Sequence, residues 1–385
     1  MSSEESLEKV LFDSFNLKES LLRGIYSYGF ENPSAIQKKA VPKIMESKDL
    51  IAQAQSGTGK TGAFSIGALQ CVDESLKQTQ TLIISPTREL VSQSYTVIKE
   101  LSKYMDVSVM EVIGGTDVSE CMYNLNKNPQ IIVGTPGRIL DMIQRKYLFT
   151  DKLNQLIIDE ADEVLSYGFK DTIYNIIQFI SKDAQICLFS ATMPEEIISL
   201  SDCFMNNPER ILVQKEQLTL DGIVQYYINC KVNDWKYDVI KDLYSTINIS
   251  QCIIYINSKN KLMNIFDSLN ADNFPVSCIH GDLTTKERKS IMEEFKNGHT
   301  RILLSTDLLS RGIDIQQLSL VINYDLPKSK ETYIHRIGRS GRYGRKGVAI
   351  NFITDYDLEH LQNIRDFYNT KIEEMPNDIQ NVVNV

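Results

Sequence analysis

The sequence predicts an α/β protein of two tandem domains, each a parallel sheet flanked by helices. Three observations lead there. Short apolar runs alternate with helix-length amphipathic segments from end to end, the pattern of buried parallel strands under covering helices. A glycine-bearing loop, Ala54-Gln55-Ser56-Gly57-Thr58-Gly59-Lys60-Thr61, follows the apolar stretch Leu50-Ile51-Ala52. A carboxylate string, Asp159-Glu160-Ala161-Asp162, closes the apolar run Leu156-Ile157-Ile158. At 385 residues, the chain also exceeds what one ordinary core holds.

In the first half the strand-like runs are residues 50–54, 81–85, 107–113, 130–133, 155–158 and 185–189. In the second half they are residues 223–230, 251–256, 275–279, 301–305, 318–324 and 347–353. Helix-length segments between them include 196–204, 234–244, 259–269 and 286–295. Residues 210–213 read as one more strand, and the polar stretch 215–221 behind it as a linker. The expected domains are therefore 1–214 and 222–385, with 376–385 a short polar tail.

Composition narrows the class. Apolar residues make up 42% and charged residues 24%, as in a globular protein. No apolar run approaches the roughly 20 residues that span a bilayer. The N-terminus, Met-Ser-Ser-Glu-Glu, is acidic and shows no apolar secretory region. Seven cysteines stand singly, without a CxxC pair, which points to reduced thiols in a cytoplasmic or nuclear setting rather than to a disulfide frame or a zinc site. A net charge of −9 argues against a strongly basic nucleic-acid coat but leaves room for a local basic groove.

The loop and the carboxylates read as the two halves of a nucleoside triphosphatase site. Gly57 and Gly59 allow close backbone approach to phosphates, Lys60 neutralises the β and γ phosphates, and Thr61 reaches magnesium. Ala54 stands where a strict phosphate loop has glycine. Asp159 at the strand's end holds magnesium, and Glu160 polarises the attacking water as general base. Phe30 and Gln37 lie just upstream. In isolation that segment reads as a helix-start turn with a buried Phe, yet an amide suits the N6/N7 edge of adenine and an aromatic ring stacks on a base.

Strand ends rich in Gly, Thr and Arg recur at Pro86-Thr87-Arg88, Gly114-Gly115 and Thr135-Pro136-Gly137-Arg138. Each alone is an ordinary turn; together they suit phosphate and sugar contacts that read no base sequence. Ser190 and Thr192 end another strand with two hydroxyls, placed either to bond the carboxylates or to cap a helix before Pro194. Far along the chain, His335-Arg336-Ile337-Gly338-Arg339-Ser340-Gly341-Arg342 gathers cations. Arg339 and Arg342 share a face if helical. The run reads either as arginine fingers for a γ-phosphate or as a basic RNA-binding strip.

In this order the motifs resemble a DEAD-box RNA helicase of superfamily 2, over essentially the whole chain. The segments that carry the likeness are 29–37, 54–61, 86–90, 114–115, 135–138, 159–162, 190–192, 305–315 and 335–342. The resemblance implies two RecA-like domains that close over ATP, Mg2+ and single-stranded or short duplex RNA. It assigns Phe30 and Gln37 to adenine, Asp314 to the ribose, and Arg339 and Arg342 to the γ-phosphate. It assigns Arg288, Thr306 and Arg311 to RNA beside the first-domain strip, and Asp162, Ser190, Thr192 and His335 to coupling. Thr285 stands where the family has Gln, three residues before the retained Arg288. Segments 307–317 and 321–327 resemble the translation-initiation branch, and 339–347 the exon-junction branch.

The implied function is an RNA-dependent ATPase that separates short duplexes locally in translation initiation. The alternative is an ATP-locked RNA clamp in an exon-junction-like assembly; a DNA helicase on the same scaffold is disfavoured by the motif set. An initiation-complex scaffold protein is the candidate partner, with no obligate homo-oligomer and a cytoplasmic location, nuclear for the clamp.

Overall fold

The computed structural model describes residues 11–55, 57–165, 168–212, 223–246, 250–307, 318–340 and 347–376. The chain divides into two units, residues 1–213 and 214–385. The sequence-predicted linker falls outside the described residues.

The first unit carries seven parallel strands. They are β1 (Leu50–Gln53), β2 (Thr81–Ile84), β3 (Val109–Val112), β4 (Ile131–Gly134), β5 (Gln155–Asp159), β6 (Gln185–Ser190) and β7 (Glu209–Ile211), in the spatial order β3-β4-β2-β5-β6-β1-β7. β1, β2, β4, β5 and β6 are buried throughout. That is why they read as continuous apolar runs rather than as alternation. The covering helices are α1 (Glu19–Tyr28), α2 (Ala35–Met45), α3 (Lys60–Cys71), α4 (Arg88–Leu101), α5 (Val118–Leu125), α6 (Pro136–Gln144), the single turn α7 (Ala161–Val164), α8 (Lys170–Gln178) and α9 (Glu195–Ser201). Two apolar clusters form, one on each face of the sheet. Ile83 and Val133 point into one, Leu82 and Ile132 into the other.

The second unit repeats the plan. Its strands are β8 (Ile223–Asn229), β9 (Cys252–Tyr255), β10 (Val276–Ile279), β11 (Ile302–Ser305), β12 (Leu320–Asn323), β13 (Gly347–Ile353) and β14 (Glu373–Glu374), ordered β10-β11-β9-β12-β13-β8-β14. Its helices are α10 (Lys236–Thr246), α11 (Lys259–Ala271), α12 (Thr285–Lys296), α13 (Lys330–Ile337) and α14 (Leu358–Tyr368). All pairings in both sheets are parallel, so within each unit every strand's C-terminal end faces one edge. The expected fold class holds.

Some elements differ from expectation. α10 starts at Lys236 because a short 3-10 turn, Asn233–Trp235, occupies the front of the predicted segment. α9 ends at Ser201, short of the predicted 204. β14 is two exposed glutamates held by backbone pairing to β8, and no apolar pattern announces it. Among the described residues, no helix is long and apolar enough to cross a membrane.

Candidate nucleotide and RNA site

The loop between β1 and α3 turns on two glycines in the left-handed region, Gly57 at φ 80° and Gly59 at φ 100°. Glycine holds such angles at no steric cost. Within it the Thr58 hydroxyl donates to the Gln55 carbonyl at 2.7 Å. Lys60 opens α3 and is buried, its ammonium donating to the Ala54 carbonyl at 2.9 Å across the loop. Thr61, in the first turn of α3, is half-buried beside it. Ser56 lies outside the described residues.

Gln37 packs directly on this loop. Its side-chain amide donates to the Gly59 carbonyl at 3.2 Å and accepts from the Ser34 N–H at 2.9 Å. The Ser34 hydroxyl in turn caps α2, so the cap fixes the amide's direction. Each end of the amide keeps a second bonding position, one N–H and one lone pair. A side chain at Gly62 would meet both Gln37 and Phe30, with a Cβ 2.6 Å from Gln37 Nε2 and 3.1 Å from the Phe30 ring. Phe30 is half-buried and stacks on Phe12 at 6.4 Å between centroids.

Two strands away, β5 ends at Asp159. Burial first, then the neighbouring Glu160 charge, push the Asp159 carboxyl up to about 7, against the pull of Lys60. Glu160 sits at φ 48°, a left-handed backbone that a non-glycine residue holds only under constraint, and its N–H donates to Asp159 Oδ1 at 3.0 Å. Asp162 follows in α7. It accepts the Ser190 hydroxyl at 2.7 Å and the Thr192 hydroxyl at 2.5 Å. Both hydroxyls face the carboxylate, and Pro194 rather than Thr192 occupies the N-cap of α9. The Ala54 N–H donates to the Ser190 carbonyl at 3.0 Å, so the phosphate loop starts from the same backbone that carries these hydroxyls.

At the neighbouring ends of β2, β4 and β3 lie the three glycine- and arginine-bearing segments. Pro86 is buried, while Thr87 caps α4 through the Leu90 N–H at 3.3 Å. The Arg88 guanidinium lies over Gly114 and Gly115: a Cβ at Gly115 would fall 2.6 Å from Arg88 Nη1. Thr135 stands at the N-cap of α6 with Pro136 behind it, Gly137 is exposed, and Arg138 Nη2 donates to the Thr116 carbonyl at 3.1 Å. Turns that look ordinary one by one are thus gathered along one sheet edge.

In the second unit, Thr306 follows β11 and its carbonyl accepts the Ser305 hydroxyl at 2.6 Å. Arg288, on α12, donates from Nη2 to the Gly281 carbonyl at 2.6 Å, beyond the end of neighbouring β10. His335 is buried in the last turn of α13. Arg339 lies past that helix, half-buried, its Nε donating to the His335 carbonyl at 3.3 Å. α13 stops at Ile337 and Gly338 caps it, so Arg339 stands beyond the helix. Arg311, Asp314 and Arg342 lie outside the described residues.

Three contributors escaped the sequence reading. Arg336, taken there as one more cation of a basic run, is fully buried. It donates to Asp307 at 2.6 Å, Asn257 at 2.6 Å, Asn323 at 3.2 Å and the Asp325 carbonyl at 2.7 Å, tying together the ends of three strands. Gln53 donates to the Ala191 carbonyl at 3.2 Å. Ser34 fixes Gln37. Only Ser34 left a signal, a Ser-x-x-Gln capping box before an apolar run.

The chain is similar to known proteins over most of its length. Residues 34–200 match the family profile described as DEAD/DEAH box helicase, and residues 235–344 the one described as helicase conserved C-terminal domain. The ATP-dependent RNA helicase eIF4A of Candida albicans is 54% identical over 368 residues, 96% of this chain and 93% of that protein. That of Meyerozyma guilliermondii is 53% identical over 373 residues, 97% of this chain and 94% of that protein. Among solved structures, S. cerevisiae Dbp5 bound to RNA and ADP BeF3 is similar at a TM-score of 0.92 and 35% identity, covering 97% of this chain and 98% of that one. With its phosphate loop, its buried carboxylate pair and its two parallel sheets, the chain belongs to the DEAD/DEAH box helicase family.

Proposed function

We propose that this protein is an ATP-dependent RNA helicase whose ATP hydrolysis is stimulated by RNA and which separates short duplexes locally. One observation carries the reading. A phosphate loop, an amide aimed at its last glycine, and a buried carboxylate pair backed by two hydroxyls share one sheet edge with an arginine- and glycine-lined strip. Lys60 and the loop N–H groups take the phosphates, Gln37 and Phe30 the adenine, and Glu160 orients and deprotonates the attacking water. Pro86, Thr87, Arg88, Gly114, Gly115, Thr135, Pro136, Gly137 and Arg138 take the RNA backbone, with Arg288 and Thr306 from the second unit. Asp162, bonded by Ser190 and Thr192, passes the state of the carboxylates to β6. By the resemblance, Arg339 serves the γ-phosphate.

Mg2+ fits the residues present. A carboxyl held up to about 7 by burial and by a second carboxylate is short of a cation, which a divalent ion supplies. Asp159 and Thr61 would hold it, and it would screen the charge that builds on the phosphates.

The experiment is phosphate release from ATP and from GTP, with no nucleic acid, with RNA and with single-stranded DNA. Strong stimulation by RNA and a marked preference for ATP are expected. Equal turnover of ATP and GTP, or no response to RNA, would sink the proposal.

The similarity to helicases named eIF4A supports a role in translation initiation and, with it, a cytoplasmic location. The exon-junction alternative rests on the likeness of residues 339–347. Within them Ser340 is buried and its hydroxyl donates to the Ile337 carbonyl at 2.9 Å, while residues 341–346 lie outside the described residues. A scaffold that accelerates turnover supports the initiation role. Partners that stop turnover and retain RNA would support the clamp.

A further inference from the structure

β3 stands first in the strand order of its sheet and pairs with β4 alone among the described strands. The carbonyls of Ser108 and Val112 receive N–H groups from the β4 side, from Gln130 at 3.0 Å and from Thr135 at 3.1 Å. Alternate residues of a strand turn their backbone groups to opposite edges. Val109 and Glu111 therefore turn theirs outward. Edge strands are normally blunted or covered. This one opens into a cavity of about 360 Å³ between α4 and α5.

The cavity wall is apolar at Tyr95 and Val109 and acidic at Glu111, Asp117 and Glu120. The acids are fixed in place: Glu111 accepts the Ser92 hydroxyl at 2.8 Å, and Asp117 accepts the Glu120 N–H at 2.9 Å. Lys127, on the same wall, is held by its neighbours. Its ammonium donates to Asn124 Oδ1 at 2.8 Å and lies 4.6 Å from the centre of the Tyr123 ring. Among the described residues, the slot thus offers unpaired backbone, an apolar floor and a surplus of negative charge.

We infer that this slot docks an extended, lysine- or arginine-bearing segment of a partner protein, which adds to β3 as a new edge strand. Backbone pairing supplies affinity, the apolar floor takes alternate side chains, and the three acids select cations. The same acids repel phosphates, so RNA is not the occupant. The end of the slot reaches Thr116, whose carbonyl accepts Arg138, so an occupant sits beside the arginine- and glycine-lined strip without sharing it.

The test pans a display library of short random peptides on the full chain. Enriched peptides should alternate apolar residues with Lys or Arg. Their affinity should fall by roughly tenfold or more on the double substitution Glu111→Lys with Glu120→Lys, and similarly when their alternate amides are N-methylated. On wild-type protein, bound peptide should slow amide exchange at Val109 and Glu111, a readout that needs no variant to fold. No enrichment, enriched peptides without basic residues, indifference to N-methylation, or unchanged exchange at those amides would overturn the inference.

Discussion

At the scale of single residues, the site separates jobs that the motif lumps together. Glu160 is placed by a strained backbone rather than by a cap, and its neighbour Asp159 takes the cost of burial. Glu160→Gln keeps shape and polarity but cannot take a proton, so binding of ATP and RNA should survive while turnover falls by about 10²-fold or more. Lys60→Ala should instead abolish ATP binding, because the buried ammonium is the loop's own cation. Equilibrium nucleotide binding beside single-turnover hydrolysis checks both, and near-normal turnover in Glu160→Gln would remove it as the base. Asp159 gives a pH prediction for the metal-free, nucleotide-free protein. Its folded value of about 7 lies above the ordinary 3.8, so the folded state holds a proton that the unfolded state releases. Stability therefore falls as pH rises between those two values, and the cost is complete above about 7. Asp159→Asn should raise the unfolding free energy by a few kcal/mol at alkaline pH, with the gain vanishing near the ordinary carboxyl value. Denaturant melts with a chelator across that range measure it; a gain independent of pH would assign it to packing.

Among the elements, close approach decides more than helix propensity does. α1 crosses α4 at Gly24, where a Cβ would fall 1.9 Å from the Leu101 carbonyl oxygen. A backbone atom cannot swing aside as a side chain does, so Gly24→Ala should part the two helices and cost about 2–4 kcal/mol. Urea unfolding checks it, and a loss under about 0.5 kcal/mol, the level of a neutral surface change, would show that the helices shift freely. α2 and α3 show the opposite economy. The capping box that starts α2 also aims Gln37 at Gly59, so one local motif stabilises a helix and orients an amide onto the glycine loop. The arginine- and glycine-bearing strand ends follow the same plan, since Thr87 and Thr135 stand at helix N-caps directly after their strands.

For the whole molecule, two units carry separate apolar cores. The clusters around Ile83 and Leu82 belong to the first and those around Ile254 and Ile253 to the second. Each core is complete in its own sheet and helices, so scanning calorimetry should resolve two unfolding transitions. ATP with Mg2+, added without RNA, should raise the one belonging to the first unit, which holds the phosphate loop. A single transition whose calorimetric and van't Hoff enthalpies agree would show that the units unfold together.

The sequence by itself determined the fold class and the order of the strands along the chain, and it singled out the glycine loop and the carboxylates. These are local: an apolar run long enough for one buried strand, a glycine pair where the backbone must turn left-handed, acids at the run's end. The tertiary structure alone decided which strand ends meet. The three arginine- and glycine-bearing turns are ordinary one by one and are gathered only because β3, β4 and β2 lie side by side, a pairing between residues far apart in sequence. It also turned Arg336 from one more cation of a basic run into a buried tie. Burial depends on neighbours contributed by other strands, and no local pattern carries that information.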